Sequence, residues 1–95
     1  MEKLSQEDID AKLVEFPDWT LSGDAIHRTF NFDDFLSAMA FVSRVAQLAE
    51  EHQHHPDIMI RYNKVTLTLS THEAGGLTEE DFAFAGDADA CIASG

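Results

Sequence analysis

A chain of 95 residues, 44% hydrophobic with seven Phe and one Trp, carries material for one small core, since a domain of this size buries roughly 60–70% of the surface that its unfolded chain exposes. Eighteen acidic residues against six basic ones give a formal charge of −12, which repels a phosphate backbone and an anionic bilayer alike and argues against nucleic acid or a membrane as partner. There is no run of 18 apolar residues and no basic-then-apolar start, and Cys91 has no second cysteine to pair with; the expectation is one domain over residues 1–95, soluble and cytoplasmic.

Taken in chain order, Ser5 with Asp8 three residues on is a helix start, and Ile9 and Leu13 follow at i, i+4 spacing. Pro17 ends that helix. Trp19–Leu21 reads as a short strand, Ser22-Gly23-Asp24 as a turn, and 25–32 as the strand that returns. Its alternation sets Ile26, Arg28, Phe30 and Phe32 on one side and His27, Thr29 and Asn31 on the other, where His27 is expected to face solvent.

Asp33 or Asp34 can cap the next and longest helix. Phe35, Met39, Val42, Ala46 and Ala49 repeat at helical spacing, reinforced by Leu36, Val45 and Leu48, and are expected to be its core face. Pro56 disfavours helical geometry at His55, so the helix should end near Gln53. A second hairpin follows. Ile58, Ile60 and Tyr62 alternate with Met59 and Arg61, Asn63-Lys64 connects, and Val65, Leu67 and Leu69 alternate with Thr66, Thr68 and Ser70. Thr78 and Asp81 form a capping pattern for a last helix through Phe82 and Ala85, with Gly86 and the Asp87–Ala90 tail expected to fray it. The order is α-β-β-α-β-β-α. It predicts an α+β fold, a four-stranded antiparallel sheet with the helices packed on one face.

Four of the five histidines (His52, His54, His55 and His72) fall between Glu50 and His72. Histidine is the side chain whose charge changes nearest neutral pH, so a cluster of this density suggests proton transfer. If the helix continues, Glu50 and His54 lie at i, i+4 on one side, where the carboxylate can orient the imidazole. Asp81, nine residues beyond His72, is near enough in sequence to return toward it. His52 is expected to be a solvated residue facing the helix dipole. Zinc is a competing use of the cluster, but the adjacent His54 and His55 are hard to aim at one ion, and no Cys or His-x-x-x-His spacing supports it.

These residues resemble the pterin-4a-carbinolamine dehydratase family. The family's signature runs acid, three residues, His-His-Pro, five residues, an aromatic, nine residues, His, then Asp after at least eight more. Glu50, His54-His55-Pro56, Tyr62, His72 and Asp81 keep every spacing. Tyr62-Asn63-Lys64-Val65, Leu69 to Glu73, Gly76 to Glu79, Asp24-Ala25-Ile26 and Ser43 to Ala46 are also similar to it, so the resemblance covers roughly residues 5–85. Beyond Phe84 relatives continue an apolar helix where this chain has Gly86 and acids. The resemblance implies a four-stranded antiparallel sheet with helices on one side. It also implies dehydration of 4a-hydroxytetrahydropterin to quinonoid dihydropterin, without metal or organic cofactor. Carried onto this chain, it makes His54 and His72 the acid and base, His55 a pterin-binding residue, and Glu50 and Asp81 orienting carboxylates. A homodimer or homotetramer is implied, the weakened last helix favouring the dimer. A non-catalytic role as dimerisation or assembly partner of another protein is the alternative.

Overall fold

A computed structural model describes residues 2–93 of the chain. Three helices, α1 (Gln6–Glu15), α2 (Phe35–His52) and α3 (Glu79–Ala93), cover one side of a four-stranded sheet. The strands are β1 (Thr20–Ser22), β2 (Ala25–Asn31), β3 (Asp57–Arg61) and β4 (Lys64–Leu69). Their spatial order is β1-β2-β4-β3 with every pair antiparallel, so the two hairpins join along β2 and β4. The sheet and the α-β-β-α-β-β-α order are those expected from the sequence. Among the described residues, no helix is long and apolar enough to cross a membrane.

Period-two alternation sets the two faces of the sheet. Ile26 and Phe30 of β2 and Val65, Leu67 and Leu69 of β4 are buried against the helices. Thr29 and Thr66 face each other on the open side, their hydroxyls 2.8 Å apart, and His27 lies there half-buried. Helix starts follow the sequence. Ser5 Oγ accepts the Asp8 N–H, and Asp34 Oδ1 accepts the Ser37 N–H at 2.7 Å, a bond that holds the Asp34 carboxyl below its usual pKa.

Three expectations need correction. Of the expected α2 face, Val45 and Ala49 are buried and Val42 and Leu48 pack against the core, but Ala38 and Phe41 complete it, while Phe35 and Leu36 remain 45% and 78% exposed. Two apolar stripes run side by side on this helix. Phe41 anchors the buried one, its ring tilted against Phe30 and Phe32 at centroid distances of 4.6 and 5.2 Å. Secondly, the second hairpin turns at Tyr62-Asn63, because Arg61 pairs with Lys64. Asn63 fixes this register through Nδ2 to the Phe32 carbonyl (2.8 Å) and by accepting the Phe32 N–H (2.9 Å), which leaves Tyr62 in the left-handed region at φ 53°.

Finally, α3 does not end near Ala85 but continues through Gly86 to Ala93. Its acids are held from outside the helix. Asp89 accepts from Trp19 Nε1 (3.1 Å) and Arg28 Nη1 (2.7 Å), Asp87 meets His52 (2.7 Å), and Ala85 and Ala88 are fully buried. Tertiary bonds of this kind outweigh a local propensity deficit of about 1 kcal/mol for the glycine. Arg28 shares the core side of β2 because it ends in Asp89 and stacks on Phe30 at 4.5 Å.

Candidate active site

Helix α2 ends in a Schellman arrangement. Gln53 adopts the left-handed conformation (φ 54°), the Gln53 N–H bonds the Glu50 carbonyl, and the His54 N–H reaches back to the Ala49 carbonyl at 3.0 Å. This reversal takes His54 off the helical surface, so the expected i, i+4 pair of Glu50 with His54 does not form. Glu50 Oε2 instead stands 2.6 Å from His55 Nε2, both side chains exposed.

His54 turns inward and meets the carboxylate expected beside His72. Its Nε2 is 2.6 Å from Asp81 Oδ1, with Asp81 fully buried and the imidazole 13% exposed. Asp81 lies in the first turn of α3, where its Oδ2 accepts the Thr78 N–H and the Thr71 hydroxyl, each at 2.9 Å. The Thr78 hydroxyl in turn faces Thr71 Oγ1 at 3.0 Å. Asp81 thus closes a capping pattern with one oxygen and holds an imidazole with the other. Among the described residues no buried side-chain nitrogen or oxygen lacks a partner. Where the Asp81 carboxylate accepts at Oδ1, as it does at Oδ2, the donor is His54 Nε2–H.

His72 does not end the last strand. Strand β4 stops at Leu69, a Thr71–Gly76 bridge closes the loop beyond it, and His72 opens a 3₁₀ turn (His72–Ala74) that ends at Gly75 with φ 78°. Its imidazole is exposed and has no side-chain partner among the described residues. The three histidines nevertheless converge. His55 and His72 line a depression of about 190 Å³ with Asp24, Ala25, Asp57, Thr68 and Ser70. The same two, with His54, Gln53, Ser70, Thr71 and Glu73, line an adjoining one of about 220 Å³. Tyr62 is absent from both walls, sitting at the far end of the β3–β4 hairpin and 67% exposed.

His52 is not the solvated residue expected. Its ring is 18% exposed, 3.0 Å from Glu80 and 2.7 Å from Asp87, and the bond to Asp87, then that to Glu80, raises its pKa above 6.5. Sequence reading missed this contact and the Thr71 hydroxyl on Asp81. The first has no local signal, while a hydroxyl beside His72 in a motif with a downstream Asp is a signal for the second. Among the described residues no group of three or more His, Cys, Asp or Glu side chains is placed to hold a metal ion.

The family model described as Pterin 4 alpha carbinolamine dehydratase matches residues 2–91. The chain belongs to this family. Two bacterial relatives described under the dehydratase family's name agree along nearly the full length. The one from Thermomicrobium roseum is 58% identical over 90% of this chain and 91% of its own. The one from Acidobacterium capsulatum is 49% identical over 97% and 100%. Among solved structures, a transcriptional coactivator/pterin dehydratase from Brucella melitensis superposes with a TM-score of 0.89 at 35% identity, covering 94% of this chain and 97% of that one. A pterin dehydratase-like protein identified as a RuBisCO assembly factor in the alpha-carboxysome gives 0.63 at 29% identity, over 76% and 83%. For this dehydratase-family chain the match takes in α3 as far as Cys91, the stretch over which the sequence alone suggested a departure.

Proposed function

We propose that this protein is a hydro-lyase that dehydrates 4a-hydroxytetrahydropterin to the quinonoid dihydropterin. In this reading His54 and His72 exchange the protons, His55 binds the pterin, and Asp81 and Glu50 orient His54 and His55. The reaction breaks the bond from C4a to its hydroxyl, whose oxygen takes up a proton and leaves as water. N5 gives up its proton, and the freed pair closes the N5=C4a double bond. One proton enters and one leaves, a task for two imidazoles in complementary states, each supplying about 10²–10⁴-fold of rate.

One observation carries this reading: a histidine held by a buried carboxylate (His54–Asp81, 2.6 Å) lines a depression with two further histidines, His55 and His72, which also line the one beside it. Each depression is smaller than the roughly 300–1,000 Å³ usual for small-molecule sites. A bicyclic pterin therefore spans both and passes between His55 and His72. The test is dehydration of a 4a-hydroxytetrahydropterin by the purified protein, with His55→Ala expected to raise KM more than it lowers kcat.

Assembly belongs to the same reading: the protein is a homodimer or homotetramer in the cytoplasm. The intact α3 removes the reason for preferring the dimer. Phe35 and Leu36 on α2, Ile92 on α3, and Met59 and Tyr62 at the β3 edge leave apolar surface in water, which supports self-association or a role beside another protein. Light scattering at tens of micromolar is expected to exceed the monomer mass; a monomer at that concentration would overturn this part.

A further inference from the structure

Among the described residues, His52 is the one imidazole with a carboxylate on each ring nitrogen: Nδ1 faces Glu80 at 3.0 Å and Nε2 faces Asp87 at 2.7 Å. Ionised carboxylates only accept, so both bonds form together when the ring carries two N–H groups and is cationic. Glu80 and Asp87 are seven residues apart on α3, so one ring at the last residue of α2 spans two turns of the neighbouring helix. Between them in sequence lies Phe84, whose fully buried ring meets His52 at 5.2 Å and His54 at 6.4 Å. Glu80 is the chain neighbour of Asp81, the carboxylate on His54. The element that carries half of the His54–Asp81 pair is thus fastened to the end of α2 by His52.

We infer that His52 is a positioning residue for the dehydration: by bridging Glu80 and Asp87 it holds the first turns of α3, and with them Phe84 and Asp81, where they aim the His54 ring at the pterin. This deepens the function proposed above and rests on it. The charged groups acting on His52 are those two α3 carboxylates, and across Phe84 stands the His54–Asp81 pair. A plain helix–helix staple would support the fold without affecting the aim of His54, and the two roles separate in kinetics.

The experiment compares wild type, His52→Leu and His52→Arg by steady-state dehydration kinetics, thermal unfolding and NMR of the His54 ring N–H bonded to Asp81. In folded His52→Leu, kcat is expected to fall about tenfold, as for a modest misplacement of a reacting group, with KM within about twofold. The His54 N–H signal should exchange faster. His52→Arg keeps a cation able to donate to both carboxylates and should recover most of the lost rate. If His52→Leu fails to fold, Asp87→Ala removes one arm at a half-exposed position and should lower kcat in the same sense. An unchanged kcat and His54 signal in the folded variant, or an Arg variant no better than Leu, would overturn the inference. Were the wild type inactive on the pterin, the functional reading would fall, while the His54 signal would still decide whether His52 positions that ring.

Discussion

Two imidazole–carboxylate contacts of equal length, 2.6 Å, stand a few ångströms of chain apart and in opposite surroundings. In one, Asp81 is fully buried and His54 13% exposed; in the other, Glu50 is 73% and His55 62% exposed. Water and salt screen the outer pair, and ordering two free side chains offsets much of its attraction. The inner pair lies where charges interact strongly, and its carboxylate accepts two further hydrogen bonds that leave it one orientation. Distance alone therefore says little about what either contact contributes. In the proposed reaction the buried pair is preorganised, and the exposed one can rearrange as a substrate arrives.

The largest expected effect falls on the two histidines proposed to exchange protons. His54→Ala and His72→Ala should each lower kcat by about 10²–10⁴-fold, but their effects on folding should differ. His54→Ala removes a donor from a buried carboxylate and should cost on the order of 2 kcal/mol, whereas His72→Ala, at an exposed side chain, should leave the thermal midpoint in place. Equal loss of stability in both would break the contrast between inner and outer groups.

Asp81→Ala comes next. Three donors lose their acceptor together, so unfolding free energy should drop by roughly 3 kcal/mol, a fall in midpoint on the order of 15 °C for a chain of this size. Calorimetry measures it directly, and a drop no larger than that of Glu50→Gln would contradict the assigned burial. Stability should also depend on pH through His52. Its pKa is raised in the folded state by Asp87 and Glu80, so the contribution is fully present below the unfolded value near 6.5 and is lost as pH rises through the folded value. Unfolding midpoints measured upward from pH 6.5 should decline in wild type and decline less in His52→Leu. The smallest effect belongs to the outer pair: Glu50→Gln should change stability by less than about 0.5 kcal/mol and act on KM more than on kcat.

Much of this architecture is legible in residue order. Ser5 and Asp34 cap where short polar side chains precede apolar periodicity, and the Val65-Leu67-Leu69 alternation gives the buried side of β4. The candidate site is legible as a set of residues, because His54, His55, His72, Glu50 and Asp81 keep the spacing of the family signature. Their pairing is not. Which carboxylate meets which imidazole depends on the left-handed turn at Gln53 and on how α3 crosses α2, neither of which has a local signature. The same holds for the length of α3, whose acids are fixed by Trp19, Arg28 and His52 at sequence separations of 70, 61 and 35 residues. Phe41 is hidden for another reason: a second apolar stripe, with Phe35 and Leu36, competes with it on the same helix.

The central claim is that imidazoles alone carry the proton transfers. Its most direct test follows the spectral change on dehydration of a 4a-hydroxytetrahydropterin by the purified protein, before and after exhaustive chelation, with metal content determined on the same sample. Acceleration should survive chelation, with metal well below one ion per chain, and should be lost in His54→Ala. A protein that fails to accelerate the reaction, or one silenced by chelation and restored by a stoichiometric metal ion, would contradict it.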